Sequence, residues 1–267
     1  MSKIILFILW LTLTTLTMTG CIQTGNNVSS PSTAANNILK VGVTSNAPPL
    51  IYRQNGEMTG LEAELARELA AFAGKQVRFV ELNWVDQIPS LLSGKIDIIM
   101  SGMTRTNLRQ VRIDFSNPYL VAGQISLVRR AEYNRYSDGF PNLLKQTVRI
   151  GTVLGTTGDF LIQQKIARDS TKFKTPDQAV DALLNNKIDV FVYDLPMNFY
   201  FGALHEVKGL VPVAVPLTRE ELAWGIRKGD TELLNTANSF LEHLRQDKQL
   251  QVKIQRWIPF YKNMYNQ

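Results

Sequence analysis

The stretch Leu91-Leu92-Ser93-Gly94-Lys95-Ile96-Asp97 recurs 92 residues later as Leu183-Leu184-Asn185-Asn186-Lys187-Ile188-Asp189, with five positions identical. Each copy reads as the end of a helix, a turn and the start of a buried strand. A single unit of this kind wants Leu-Leu, a turn and a β-branched residue in any protein. The weight of the echo therefore comes from its surroundings. If the two units are equivalent, the residues that leave the two strands face one shared place. At the same offset Gly102 maps to Asp194.

Working outward, strand-like and helix-like segments alternate. Ile38 to Val43, Val77 to Leu82, Ile96 to Met100, Val148 to Thr152 and Val190 to Tyr193 read as strands. Between them, Leu61, Leu65, Leu69 and Phe72 share one helical face that Gly74 ends. Trp84 to Ser93, a segment after Gly158, and Pro176 to Asn186 read as further helices. Thr59-Gly60-Leu61-Glu62 and Thr175-Pro176-Asp177-Gln178 have the form of capping boxes, the second with proline where a missing N–H is tolerated. This alternation predicts an α/β class with largely parallel sheets.

The N-terminus reads as a secretory leader. Lys3 gives a positive start, Ile4 to Leu16 is apolar apart from threonines, and small residues lead to Gly20-Cys21. The apolar run is short for a membrane-spanning helix, which needs about 20 such residues. Cys21 is the chain's one cysteine, so the fold is expected to stand without an internal disulfide. The segment resembles a bacterial lipobox with Met18 at a position that usually holds leucine. A lipid on Cys21 and a leader over residues 1–20 are the expectation. Residues 21–37, polar and without apolar period, read as a flexible tether. The formal net charge is +6, but Lys and Arg never form runs longer than two and no nucleic-acid motif accompanies them. That pattern is a solvated basic surface, and no nucleic-acid partner is expected.

In open α/β sheets, ligands sit beyond the carboxyl ends of the strands. Ser101-Gly102-Met103-Thr104 leaves the first repeat's strand, with Arg109 five residues after Thr104. A guanidinium fork matches a carboxylate, and Thr104 adds a donor. Arg109 equally fits a surface helix arginine. Gly151-Thr152-Val153-Leu154-Gly155-Thr156-Thr157-Gly158-Asp159 is a strand, a Gly/Thr turn and a helix start. Its free N–H groups suit an anion, though no P-loop lysine follows. Asp194 ends the second repeat's strand, where it either pairs an ammonium or serves as a helix cap or turn residue, with Pro196 two positions on. Trp84 is either a core aromatic or a pocket wall. One Arg, several hydroxyls and one Asp describe recognition of a zwitterion, the shared part of every α-amino acid.

Taken together, Leu39 to Val43, Pro48-Pro49, Thr59 to Ala66, Ile88 to Asp97, Ser101 to Thr104, Arg109, Asp114 to Tyr119, Gly155 to Gly158 and Asp194 resemble the polar amino-acid-binding proteins of ABC importers. These form family 3 of the extracellular solute-binding proteins and are related to the ligand-binding domains of ionotropic glutamate receptors. The resemblance runs from about Leu39 to Trp257. It implies a two-lobed type II periplasmic-binding-protein fold with two hinge crossovers, lobe 1 being 38–121 with 217–267 and lobe 2 being 122–216. It also implies that Arg109, Thr104 and Thr157 hold a ligand carboxylate, while Asp194 and the Gly102 carbonyl hold its ammonium. Trp84, Thr44, Ala47, Tyr52, Val153 and Tyr193 would line the side-chain pocket. The implied partners are a small amino acid, an ABC permease with its ATPase, and a membrane; no cofactor, metal or catalytic residue is implied.

Three departures bear on specificity. Relatives often carry an acidic residue at 44, an aromatic at 47 and phenylalanine at 50, where this chain has Thr44, Ala47 and Leu50. Thr44 cannot neutralise a ligand charge, which argues against a strong preference for Lys or Arg, and specificity stays open. The resemblance also reaches periplasmic cyclohexadienyl dehydratases, for which Asp194, Tyr193 or Tyr52 would have to serve as general acid. His205 and His243 lack metal-ligand spacing, and no Gly-x-Ser-x-Gly nucleophile motif occurs. A ligand-sensing receptor module is the third reading, since it too uses closure on ligand.

Overall fold

The computed structural model describes residues 37–145, 147–166 and 169–261. The leader, Cys21 and the tether up to residue 36 lie outside the described residues. In chain order the first strands are β1 (Ile38–Val43), β2 (Asn46–Ala47), β3 (Ile51–Gln54), β4 (Glu57–Thr59), β5 (Gln76–Glu81), β6 (Ile98–Ile99), β7 (Ile113–Phe115) and β8 (Leu120–Ala122). They are followed by β9 (Gln124–Arg129), β10 (Ile150–Val153), β11 (Thr171–Phe173), β12 (Val190–Asp194), β13 (Leu210–Val213), β14 (Glu220–Leu222) and β15 (Gly225–Arg227).

Two five-stranded sheets carry the architecture, ordered β5-β1-β6-β15-β7 and β11-β10-β12-β9-β13. In the first, β1 is parallel to β5 and β6, and β15 is antiparallel to β6 and β7. In the second, β10 is parallel to β11 and β12, and β9 is antiparallel to β12 and β13. The sheets match strand by strand. Each antiparallel strand is delivered from the other half of the chain. β8 leads into β9, while β14, paired antiparallel with β8, leads into β15. These paired crossings are the two hinge strands.

The sequence echo is a structural repeat. Asp97 and Lys40 exchange backbone and carboxylate hydrogen bonds, with Asp97 N–H to the Lys40 carbonyl at 2.8 Å and Lys40 N–H to Asp97 Oδ2 at 2.8 Å. Asp189 and Arg149 do the same at 2.7 and 2.9 Å. An arginine at the end of each antiparallel strand clasps the unit: Arg227 Nη1 donates to the Ile96 carbonyl and Arg129 Nη1 to the Ile188 carbonyl, both at 2.7 Å. The same arginines reach Asp97 at 3.7 Å and Asp189 at 3.2 Å. Ile96 and Ile188 are fully buried. Each lies over a glycine of the neighbouring strand. A Cβ at Gly42 would fall 2.3 Å from Ile96 Cδ1, and one at Gly151 would fall 2.4 Å from Ile188 Cδ1.

Local signals are realised unevenly. Thr175 caps the helix Pro176–Leu184 by accepting from Gln178 N–H. Thr59 does not cap. The helix Leu61–Phe72 starts instead from Gly60 at φ 109°, with Leu61 and Glu62 N–H donating to the Pro49 and Leu50 carbonyls at 3.1 and 2.8 Å. A Cβ at residue 60 would lie 2.4 Å from the Leu50 carbonyl oxygen, so only glycine lets the chain pass. Leu61, Leu65 and Leu69 are buried as their spacing predicts. Phe72 is half exposed, tilted against Phe240 and stacked on His243. Trp84 to Ser93 divides into a 3₁₀ turn, Trp84–Asp86, and the helix Gln87–Leu92.

The glycine–isoleucine contact gives a direct test. Gly42→Ala is expected to lower unfolding free energy by about 1–3 kcal/mol through overpacking. Adding Ile96→Val, which removes the clashing Cδ1, should restore part of that loss in urea unfolding.

Candidate functional site

A cavity of about 240 Å³ opens between the carboxyl ends of the two sheets. Trp84, Thr44, Ala47, Val153, Tyr193 and Asp194, all predicted from sequence, line it. Ser45, Asn46, Asn83, Ser101, Thr156, Lys174 and Met197 join them without having been singled out. Arg109, Thr104, Thr157, Gly102 and Tyr52 stand outside this lining. A larger, more open hollow of about 380 Å³ lies behind the first crossing, against Arg245 and Lys248, and holds none of the predicted residues.

Asp194 ends β12. It occupies the N-cap position of the helix Leu195–Leu204, yet its side chain makes no capping bond. Gln124, the first residue of β9, donates from Nε2 to Asp194 Oδ1 instead. Register explains this, because Gln124 is the cross-strand partner of Asp194. Burial, then the charge of Glu220, pushes the Asp194 carboxyl up to about 7, against the opposing effects of Gln124 and Arg109. An ammonium ion beside it would relieve that desolvation.

Arg109 is not a surface arginine. It is buried, its guanidinium lies 5.2 Å from the Trp84 ring centre, and it donates to the Thr104 carbonyl at 2.8 Å and the Gly155 carbonyl at 3.4 Å. Burial pushes its ionisation down. Trp84 is half buried and donates from Nε1 to the Gly155 carbonyl at 3.0 Å. Both residues thus tie the first sheet's side of the cleft to the Gly/Thr turn on the second. Tyr52 is turned elsewhere, packing on Tyr200 with ring centres 6.0 Å apart.

The expected anion-binding groups already hold carboxylates of the chain itself. Gly155 N–H donates to Asp159 Oδ2 at 3.0 Å, which fills the turn that the sequence offered to a ligand. The Gly102 carbonyl is the expected ammonium acceptor, while its N–H donates to Glu62, a fully buried carboxyl that burial pushes up to about 7. The Thr104 and Thr157 hydroxyls both donate to Glu220 Oε2, each at 2.7 Å. Gln124 and Glu220 carry no sequence signal of their own. Their roles depend on strand pairing across 33 to 116 residues. Among the described residues, no group of three or more His, Cys, Asp or Glu is placed to hold a metal ion.

With this geometry in view, the comparisons with known proteins agree. The profile of the bacterial extracellular solute-binding proteins, family 3, matches residues 39–260. The chain belongs to that family. A probable histidine-binding protein of Neisseria gonorrhoeae is 27% identical over 236 residues, 86% of this chain and 87% of its own. The L-cystine-binding protein TcyJ of Escherichia coli (strain K12) is 27% identical over 226 residues, 82% of each. Among solved structures, the ancestral amino acid-binding protein AncCDT-1, described as a precursor of cyclohexadienyl dehydratase, superposes with a TM-score of 0.77 at 33% identity, over 84% of this chain and 96% of its own. The fold is the two-lobed type II periplasmic-binding-protein fold, and the family and these relatives are binding proteins.

A family 3 chain with a carboxyl held near 7 should show it in stability. Below its unfolded value of about 4 the Asp194 carboxyl is protonated in both states; between about 4 and 7 only the unfolded state ionises it, so stability falls across that window and the loss is complete above about 7. Ligand-free Asp194→Asn is therefore expected to be more stable than the parent at pH 8, on the order of 2 kcal/mol. The gap should narrow as pH falls from 7 and close only near pH 4 in thermal unfolding.

Proposed function

We propose that this chain captures an α-amino acid with an uncharged polar side chain in the cleft between its lobes and delivers it to an ABC importer. The observation that carries this reading is Asp194, a desolvated carboxylate at a strand end on the wall of the cavity. An ammonium group is the partner that such a carboxylate lacks. Among the described residues that line the cavity, Asp194 is the one carboxylate and Lys174 the one cation. A lysine or arginine side chain would meet no second counter-charge. Thr44, Ser45, Asn46 and Asn83 offer neutral donors and acceptors instead, and Trp84 offers a flat apolar face.

In this reading lobe 1 comprises 38–121 with 217–267 and lobe 2 comprises 122–216, and the β8–β14 pair flexes between them. The leader over 1–20 directs export, and a lipid on Cys21 with the tether to residue 37 holds the protein at the extracytoplasmic face of a membrane, where the permease and ATPase complex takes the ligand. The leader's charge and apolar pattern, and the small residues before Cys21, support this. The chain acts as a binding protein, not an enzyme.

Thermal unfolding against the twenty amino acids, L-cystine, prephenate and arogenate tests the reading. A ligand at 100 times its Kd stabilises by about 2.7 kcal/mol, a rise in Tm of roughly 5–10 °C for a chain of this size. The expected result is a rise with one or a few neutral polar amino acids that disappears in Asp194→Ala. The largest rise with lysine or arginine would overturn the proposed side-chain preference. A rise confined to prephenate or arogenate, with product formed, would transfer the chain to the dehydratase reading.

A further inference from the structure

Glu220 opens β14, the returning hinge strand, and its half-buried side chain reaches into the seam between the lobes. Its Oε2 accepts from Thr104 Oγ1 and Thr157 Oγ1, both at 2.7 Å, and its Oε1 accepts from Thr218 Oγ1 at 2.7 Å. Thr104 follows the first sheet's β6, whereas Thr157 opens the helix after the second sheet's β10. One carboxylate oxygen therefore bridges the two sides of the cleft. The placement is built rather than incidental. Thr104 forms a β-bridge to Leu222, two residues beyond Glu220, and Gln124 N–H and Nε2 donate to Thr218 Oγ1 and Thr157 Oγ1 at 2.9 and 3.0 Å.

A threonine hydroxyl has one proton to donate. With Glu220 seated, both hydroxyls donate to it, and Thr157 Oγ1 also accepts from Gln124. These are the hydroxyls that the family resemblance assigns to the ligand carboxylate. A ligand carboxylate cannot share them with Glu220, because two carboxylates on the same pair of donors repel one another. Arg109 commits two of its five N–H groups to the Thr104 and Gly155 carbonyls, and the rest would add to the two hydroxyls in holding an incoming carboxylate.

We propose that Glu220 is an internal stand-in for the ligand carboxylate: it holds Thr104 and Thr157 while the cleft is empty, and a bound amino acid displaces it. The inference rests on the amino-acid reading above. It makes Glu220 a determinant of affinity that acts by competition. Ligands whose carboxylate is removed or esterified leave Glu220 in its seat.

The test pairs a ligand-free measurement with a titration. In urea unfolding without ligand, Glu220→Ala and Thr157→Val should each destabilise, and their losses should fail to add in the double variant, since both break the same bond. In calorimetric titration with the amino acids found by thermal unfolding, Glu220→Ala should bind about tenfold more tightly than the parent. Glu221→Ala, whose carboxylate pairs with Arg105 on the neighbouring surface, should leave affinity unchanged. Glu220→Gln keeps the side-chain volume without the charge and gives the same direction should the alanine variant fold poorly. Additive losses would overturn the proposed contact. Non-additive losses with unchanged or weaker binding in Glu220→Ala would overturn the competition and leave the amino-acid reading intact. Absence of amino-acid binding in the parent and in every Glu220 variant would overturn both.

Discussion

The architecture depends on an arginine clasp made twice. A helix end, a turn and a strand start leave carbonyls that point away from any regular ladder. Buried carbonyls without partners are costly. Arg227 and Arg129 satisfy them at Ile96 and Ile188, and each reaches the aspartate that follows. Both arginines end the antiparallel strand of their sheet, and those strands are the ones delivered by the hinge crossings. The clasp therefore locks the crossing chain to the sheet that receives it. It fixes where β6 and β12 start, and with them the strand ends that lead to Gly102 and Asp194.

From that constraint follows the electrostatic character of the cleft. Backbone N–H groups and hydroxyls gather wherever strands end against helix starts. Here Asp159, Glu62 and Glu220 occupy them from within. Asp159 and Glu62 belong to their own lobes. Glu220 comes from the hinge and touches both. These donors are thus satisfied from within the chain, and among the described residues lining the cavity Asp194 is the one carboxyl, its pKa raised by burial. If Asp194 holds the ligand ammonium as proposed, binding and stability pull in opposite directions at that residue.

Much of this was legible in the sequence because it was local or repeated. The echo at residues 91 and 183, the Leu61, Leu65 and Leu69 stripe, the cap at Thr175 and the strand-end position of Asp194 all rest on short-range pattern. Six cavity residues came from that pattern and from family resemblance. What escaped was non-local. Thr59 looks like a cap until the Pro49 and Leu50 carbonyls take its place. Tyr52 matches a pocket residue by its position, but Tyr200 draws its ring away. Gln124 and Glu220 follow from the register of β9 with β12 and the pairing of β14 with β8, which no window of sequence contains.

The central claim is that Asp194 recognises the ammonium group of an amino acid. The most direct measurement is a calorimetric comparison of the bound amino acid with its α-hydroxy acid counterpart, in the parent protein and in Asp194→Asn. The account predicts that the parent prefers the amino acid by a factor of about 100 or more, a charge-assisted hydrogen bond's worth of roughly 3 kcal/mol. It predicts that Asp194→Asn loses most of this preference. Equal affinity of the parent for the two ligands, or a preference that survives in Asp194→Asn, would contradict it.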